Sequence, residues 1–205
     1  MAKSYVKDID HGYRQIKQEL AKLRNQEVAV GLQAGDMAED GKMTIARLGA
    51  VHEFGATIEQ GARSIMTYHK TKLNRKTGET SISKFVKKKR ANFAMQHNVG
   101  PSTINIPERS FLRSTFDEKN KEWQSKAEKQ VGLVASGRKD AAGMLNTMGN
   151  VIEGDIKRKI VSGPFIPNAP STIRRKKSSR PLIDSGHMRS SIRYVVRPRG
   201  EGKNK

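Results

Sequence analysis

The chain has 205 residues, of which 35% are hydrophobic and 5% aromatic, and 40 Lys and Arg stand against 20 Asp and Glu for a net charge of +20. That length suits one domain with an elaboration or two small ones, and the low apolar share predicts a modest core with much of the chain at the surface. The lack of cysteine excludes disulfides, thiolate zinc sites and cysteine nucleophiles, no apolar window approaches a membrane span, and the first residues lack the apolar run of a secretory signal.

Residues 6–24 place Val6, Ile9, Tyr13, Ile16, Leu20 and Leu23 at three-to-four spacing, which predicts an amphipathic helix. Val28, Val30 and Leu32 then alternate, so a strand is expected over 26–33 before a polar loop through Gly41. Thr44 is the expected N-cap of a short helix carrying Ile45, Leu48 and Val51, with Gly55 as its stop. Strand-forming residues at 64–73 and 80–86 flank a turn at Asn74–Gly78, which predicts a hairpin. The basic run Lys87–Arg90 and a polar stretch through Pro101 follow.

From Ser110 the helical period returns, with Leu112, Phe116, Trp123, Ala127, Val131 and Val134 on one stripe that ends near Gly137. A second long helix is predicted over 140–161, with Ala141, Leu145, Met148, Ile152, Ile156 and Ile160 inward and Gly163-Pro164 as the stop. Glycines at 143, 149 and 154 cost that helix about 1 kcal/mol each relative to Ala, so either close backbone approach or simple tolerance must explain them. The proline-rich segment 164–205 is expected to be extended or turn-like, with a helical turn or two at 172–177. Asp184-Ser185-Gly186 reads as a turn or as the cap of a short helix over 187–191, residues 192–197 as a final strand and 199–205 as a polar tail.

These elements predict one α+β domain over 1–205. A small mixed or antiparallel sheet takes in the Val28 strand, part of the insertion and the C-terminal strand. It packs against the N-terminal helix and two long helices, with a basic hairpin or arm inserted at 61–103 and a basic segment at 164–205. Charge follows the same division. Residues 1–58 carry eight acidic and eight basic side chains, whereas 59–109 carry 11 basic against 3 acidic and 164–205 carry 11 against 2. Two clusters stand out: Lys84, Lys87, Lys88, Lys89 and Arg90, and Arg174, Arg175, Lys176, Lys177 and Arg180. Such patches attract phosphate backbones or acidic protein surfaces. With only Phe85 and Phe93 near the first cluster, base stacking is thin, so any nucleic-acid contact is expected to be non-specific.

Catalytic equipment is sparse. The segment Leu182-Ile183-Asp184-Ser185-Gly186 has the form of a retroviral-type aspartic protease turn, but the chain following Gly186 is short and basic and offers no apolar-apolar-Gly segment to cradle it. No two of the five histidines stand at helical ligand spacing, and Asp36, Glu39 and Asp40 read better as a solvated loop than as a magnesium site. No Gly-rich phosphate loop or dinucleotide fingerprint occurs. No active site, metal or cofactor is expected.

Three short motifs remain: His52-Glu53-Phe54-Gly55, then Ile106-Pro107-Glu108-Arg109-Ser110-Phe111-Leu112-Arg113, then Pro181-Leu182-Ile183-Asp184-Ser185-Gly186. Read by themselves, Phe54 is expected to pack beside Val51, Gly55 to take a positive φ as a helix C-cap, and Glu53 to pair with Arg109 or Arg113 or with a neighbouring subunit. Pro107 sets an extended approach, Phe111 and Leu112 anchor the helix that follows, Ser110 is its candidate N-cap and the two arginines face outward. Asp184 is expected to accept backbone N–H groups within its turn.

As an ordered set the motifs resemble the x-x-E-F-G-T, I-P-A-R-P-F-L-R and P-L-I-D-T-G signatures of tailed-bacteriophage virion-morphogenesis proteins of the neck and tail-completion group, which join head to tail. Glu108 and Ser110 stand where that family commonly has Ala and Pro, and some forty residues separate two motifs that it keeps close together. The resemblance implies a structural role in assembly and not an enzyme. It implies a ring of copies, a hexamer being favoured, set against neck, head-closure or tail-tube proteins with possible contact to genomic DNA. It also implies a place in the virion after synthesis in the bacterial cytoplasm, with no membrane involved. A non-specific nucleic-acid-binding protein is the alternative.

Overall fold

The computed structural model describes residues 12–33, 35–38 and 41–201. In chain order its elements are α1 (Tyr13–Asn25), β1 (Gln26–Leu32), α2 (Ile45–Phe54), β2 (Ala56–Gln60), β3 (Arg63–Leu73), β4 (Thr80–Phe85), a 3-10 turn (Lys88–Arg90), β5 (Phe93–Val99) and β6 (Ser102–Ile106). They continue with α3 (Arg113–Ala135), α4 (Ala141–Ser162), α5 (Pro170–Lys176), α6 (His187–Ser190) and β7 (Ile192–Pro198). The fold is α+β, and every strand pair is antiparallel. The chain divides into two compact units, one holding the residues up to Gly55 and from Pro107 onward, the other Ala56–Ile106.

In the first unit β1 pairs with β7 from Gln26↔Pro198 to Leu32↔Ile192, so the Val28 strand and the C-terminal strand form a two-stranded sheet. The insertion was expected to contribute to this sheet. It does not: among the described residues its strands pair only with one another. The central element is α4, which buries Ala141, Met144, Leu145, Met148, Ile156 and Ile160 along one face. Its N-terminal N–H groups are satisfied twice: Asp140 accepts from Gly143 N at 2.9 Å, and the α1 side chain of Glu19 accepts from Ala141 N at 2.8 Å.

Two apolar clusters flank α4. One joins Ile45, Phe111, Ile156, Ile160, Leu182, Met188 and Ile192, and the other joins Trp123, Val134, Met144, Leu145 and Met148, with half-buried Ile152 touching both. The indole N–H of Trp123 donates to the buried carboxylate of Asp155 at 2.7 Å, tying α3 to α4, and Arg158 completes the pairing. At Gly149 an added Cβ would lie 2.3 Å from the Tyr194 ring, so close approach between α4 and β7 explains this glycine; Gly154 faces only the end of Arg158. On α3 the predicted stripe is narrower than expected. Trp123 and Val134 are buried, whereas Phe116 and Val131 remain exposed. On α1, Leu23 reaches the second cluster while Tyr13 and Leu20 stay exposed, and Val6 and Ile9 lie outside the described residues.

The second unit is built differently. β2 and β6 form a ribbon from Ala56↔Ile106 to Gln60↔Ser102, so the chain enters and leaves side by side. Beyond it β3 is flanked by β4 and β5 in the order β4-β3-β5. The expected hairpin is present: β3 and β4 pair, with Asn74 N bonded to Glu79 O at 2.8 Å and Gly78 at φ 71° in the turn. β5, read from sequence as part of a polar stretch, is a strand.

Candidate functional site

α2 ends where the first motif begins. Thr44 caps it, accepting from Arg47 N at 3.3 Å, and Gly55 turns the chain out at φ 72°, a conformation that L side chains rarely adopt. This places Glu53 in the last turn facing inward, 3% exposed, against the start of α3. Its carboxylate accepts from the backbone N–H groups of Phe111, Leu112 and Arg113 at 2.8, 2.9 and 2.9 Å and from the Ser110 hydroxyl at 2.7 Å. Those N–H groups belong to a helix start with no partner of its own, and a carboxylate there also meets the positive end of the helix dipole. Glu53 is therefore an N-cap supplied from a distant part of the chain.

Arg113 closes the arrangement. Its Nε donates to Glu53 Oε1 at 3.2 Å, one terminal nitrogen donates to the Glu53 carbonyl and to Glu108, and its guanidinium lies 4.7 Å from the centre of the Phe54 ring. Phe54 is 64% exposed, which corrects the expectation that it packs beside Val51. The turn that directs Glu53 inward sends its neighbour out, where the ring covers Arg113. Ser110, the expected N-cap, acts mainly as a donor to Glu53, although its oxygen also meets Ser114 N at 3.3 Å.

Arg109 corrects a second expectation. It is 6% exposed and faces inward, donating to the carbonyls of Ile166 and Pro167 at 2.8 and 3.1 Å. The proline-rich segment has carbonyls with no helix or strand partner, and Arg109 satisfies two of them. It leaves Glu53 to Arg113.

Burial opposes charge on Glu53, but the N–H groups of Leu112 and Arg113, the Ser110 hydroxyl and the N–H of Phe111 outweigh it and hold the carboxyl below its usual value. His52 is the converse case. Desolvation, then the positive charges of Arg109 and Lys176, lower its pKa to about 4, and its buried Nδ1 has no hydrogen-bond partner among the described residues. Its imidazole is neutral at pH 7.

The third motif reaches the same place. Leu182 is buried in the cluster that contains Phe111 and Ile45, and Ile183 packs against it. Asp184 and Ser185 form an exposed bend, not a strand, and Gly186 at φ 88° precedes α6. Ser185 Oγ accepts from His187 N at 3.3 Å within the bend, while the cap position itself is Gly186, which makes no side-chain bond; the side chain of Asp184 faces Lys176 electrostatically. Ile106 ends β6 opposite Ala56, and Pro107 follows it outside any strand.

The basic clusters divide. Lys87, Lys88, Lys89 and Arg90 are all exposed at the 3-10 turn, and Lys84 lies in β4 opposite Lys70. Arg174 and Arg175 are exposed on α5, as are Lys177, which ends it in the left-handed region at φ 56°, and Arg180. Lys176 is half-buried, its ammonium donating to the carbonyl of Arg180 at 3.2 Å. Among the described residues no three His, Asp or Glu side chains gather into a metal-binding group; Glu39 and Asp40 lie outside them. No described helix is long and apolar enough to cross a membrane.

The sequence pointed to Glu53 and Arg113. It gave no sign of Asp155, the buried partner of Trp123, beyond its position one residue before Ile156 on the inward face of α4. The chain matches no family model, no curated protein and no solved structure.

Proposed function

We propose that this chain is a structural protein of a tailed-bacteriophage virion, part of the neck or tail-completion ring that joins head to tail. One observation carries the reading. Three motifs far apart in sequence meet through Glu53, Phe111 and Leu182, and the Glu53 carboxylate at that meeting point is occupied in holding backbone N–H groups together. Such an arrangement suits a rigid body that presents surfaces to neighbours. The ring, its sixfold count and its neck and tail neighbours follow from the motif resemblance described above.

The test is genetic and structural. An early stop codon in the gene should leave unjoined heads and tails, with joining restored by the intact chain in trans, and the protein should be present in purified particles at a ring's copy number. Infectious particles formed without it would overturn the proposal.

A second reading, non-specific nucleic-acid binding, draws on the exposure of Lys87, Lys88, Lys89 and Arg90 together with Arg174 and Arg175. It requires duplex affinity that falls steeply with salt whatever the base sequence.

A further inference from the structure

The inserted unit has a two-sided sheet. Along β3, Ile65, Thr67, His69, Thr71 and Leu73 alternate onto one face, and their cross-strand partners share it: Thr67↔Met95, His69↔Phe93, His69↔Phe85 and Thr71↔Ile82. Phe85 and Ile82 are three positions apart and would face opposite ways in a regular strand. The register shift between Lys70 and Thr71 brings both to the same side. The other face carries Ser64, Met66, Tyr68, Lys70 and Lys72 opposite Asn98, Gln96, Ala94, Lys84 and Ser81, and apart from Met66 and Ala94 it is polar or amphipathic.

An amphipathic sheet of this kind normally buries its apolar face on a second layer. Here Ile65, Leu73, Ile82, Phe85, Phe93 and Met95 all stand open, from 36% for Met95 to 78% for Phe85. Among the described residues of Ala56–Ile106, His69 alone is buried.

We propose that this face is a docking surface for an acidic protein, one that presents an apolar patch bordered by Asp and Glu side chains. Charge selects the occupant. Residues 56–106 hold ten Lys and Arg against Glu59 and Glu79, so a second copy would bring like charge against like charge. A lipid surface fits poorly, because β4 and β5 are open edges whose unpaired N–H and C=O groups hydrocarbon cannot satisfy. A phosphate backbone leaves the aliphatic side chains uncovered. Beside the face, a cleft of about 320 Å³ is walled by Phe85 and Val86 together with Lys87, Lys89 and Arg90. It can seat an apolar side chain next to a carboxylate. This inference stands apart from the phage reading and survives its failure.

The test uses the full chain and a labelled random copolymer of glutamate and tyrosine, compared with poly-glutamate of equal length, phosphatidylglycerol vesicles and duplex DNA. The copolymer should bind about tenfold more tightly than poly-glutamate. The double variant Ile82→Ser, Phe85→Ser should remove that advantage while leaving poly-glutamate binding unchanged, and Lys87→Glu with Lys89→Glu should weaken both. Circular dichroism checks the fold of each variant; if the double variant unfolds, Leu73→Ser at the exposed end of the face gives the same reading. Equal affinity for the two polymers, tighter binding to vesicles or DNA, or self-association that Phe85→Ser abolishes would each overturn the proposal.

Discussion

Glu53 does several jobs with two oxygens, which makes its replacement informative. Gln in its place keeps the shape but offers one acceptor oxygen and an NH2 group that faces other N–H donors. Glu53→Gln should therefore cost about 2–4 kcal/mol of stability, read from urea unfolding. The pH dependence has two parts with the same sign. His52 has its folded pKa lowered from 6.5 to about 4, so the unfolded chain binds the proton more readily and stability falls as pH drops from 6.5 toward 4. The folded pKa of Glu53 is also depressed, so its contribution is complete above 4.5 and is lost below that as the carboxyl protonates. His52→Asn should flatten the upper window and Glu53→Gln the lower one, each measured as unfolding free energy between pH 7 and 3. Neither the inward turn of Arg109 nor the outward turn of Phe54 was legible. Arg109 turns inward toward carbonyls 57 and 58 positions away, and Phe54 turns outward because Glu53 takes the inward side of the last turn of α2; neither arrangement is written in the neighbouring residues.

Elements were far more legible than contacts. Thr44 and Gly55 bounded α2, the alternation of Val28, Val30 and Leu32 gave β1, and Gly163-Pro164 ended α4, because each signal lies within a few residues of what it governs. β5 was hidden because Gln96, His97 and Asn98 occupy its middle and disguise the apolar positions Phe93, Met95 and Val99. Gly149 shows how a local rule can mislead. Helix propensity favours Ala there by about 1 kcal/mol. The Tyr194 ring leaves no room for the methyl group, and overpacking of this kind costs about 1–3 kcal/mol. Gly149→Ala should lower the melting temperature in spite of the propensity gain, and adding Tyr194→Leu should recover most of the loss.

For the molecule as a whole, both apolar clusters lie in the unit formed by residues up to Gly55 and from Pro107 onward. The α+β class was legible in sequence because helical and alternating periods occupy separate stretches. That the insertion pairs only with itself was not legible, since strand propensity says nothing about which strand is the partner. Ala56 and Ile106 are cross-strand neighbours, about 5 Å apart at Cα, so an Asn-Gly turn can bridge them. Replacing 57–105 in this way should leave a folded protein whose melting temperature lies within a few degrees of the intact chain. Loss of cooperative unfolding would show that the insertion helps to hold the remainder together.

The remote cap on α3 also carries a kinetic cost. Glu53 and Arg113 are 60 positions apart, so each time the cap forms it draws a long, wandering stretch of chain into a noose. The entropy of closing such a noose rises by about 0.6 kcal/mol for every doubling of its length. The shortened chain has a noose roughly five times smaller, so if the cap forms before the rate-limiting barrier, refolding should quicken by about tenfold while the unfolding rate stays nearly the same.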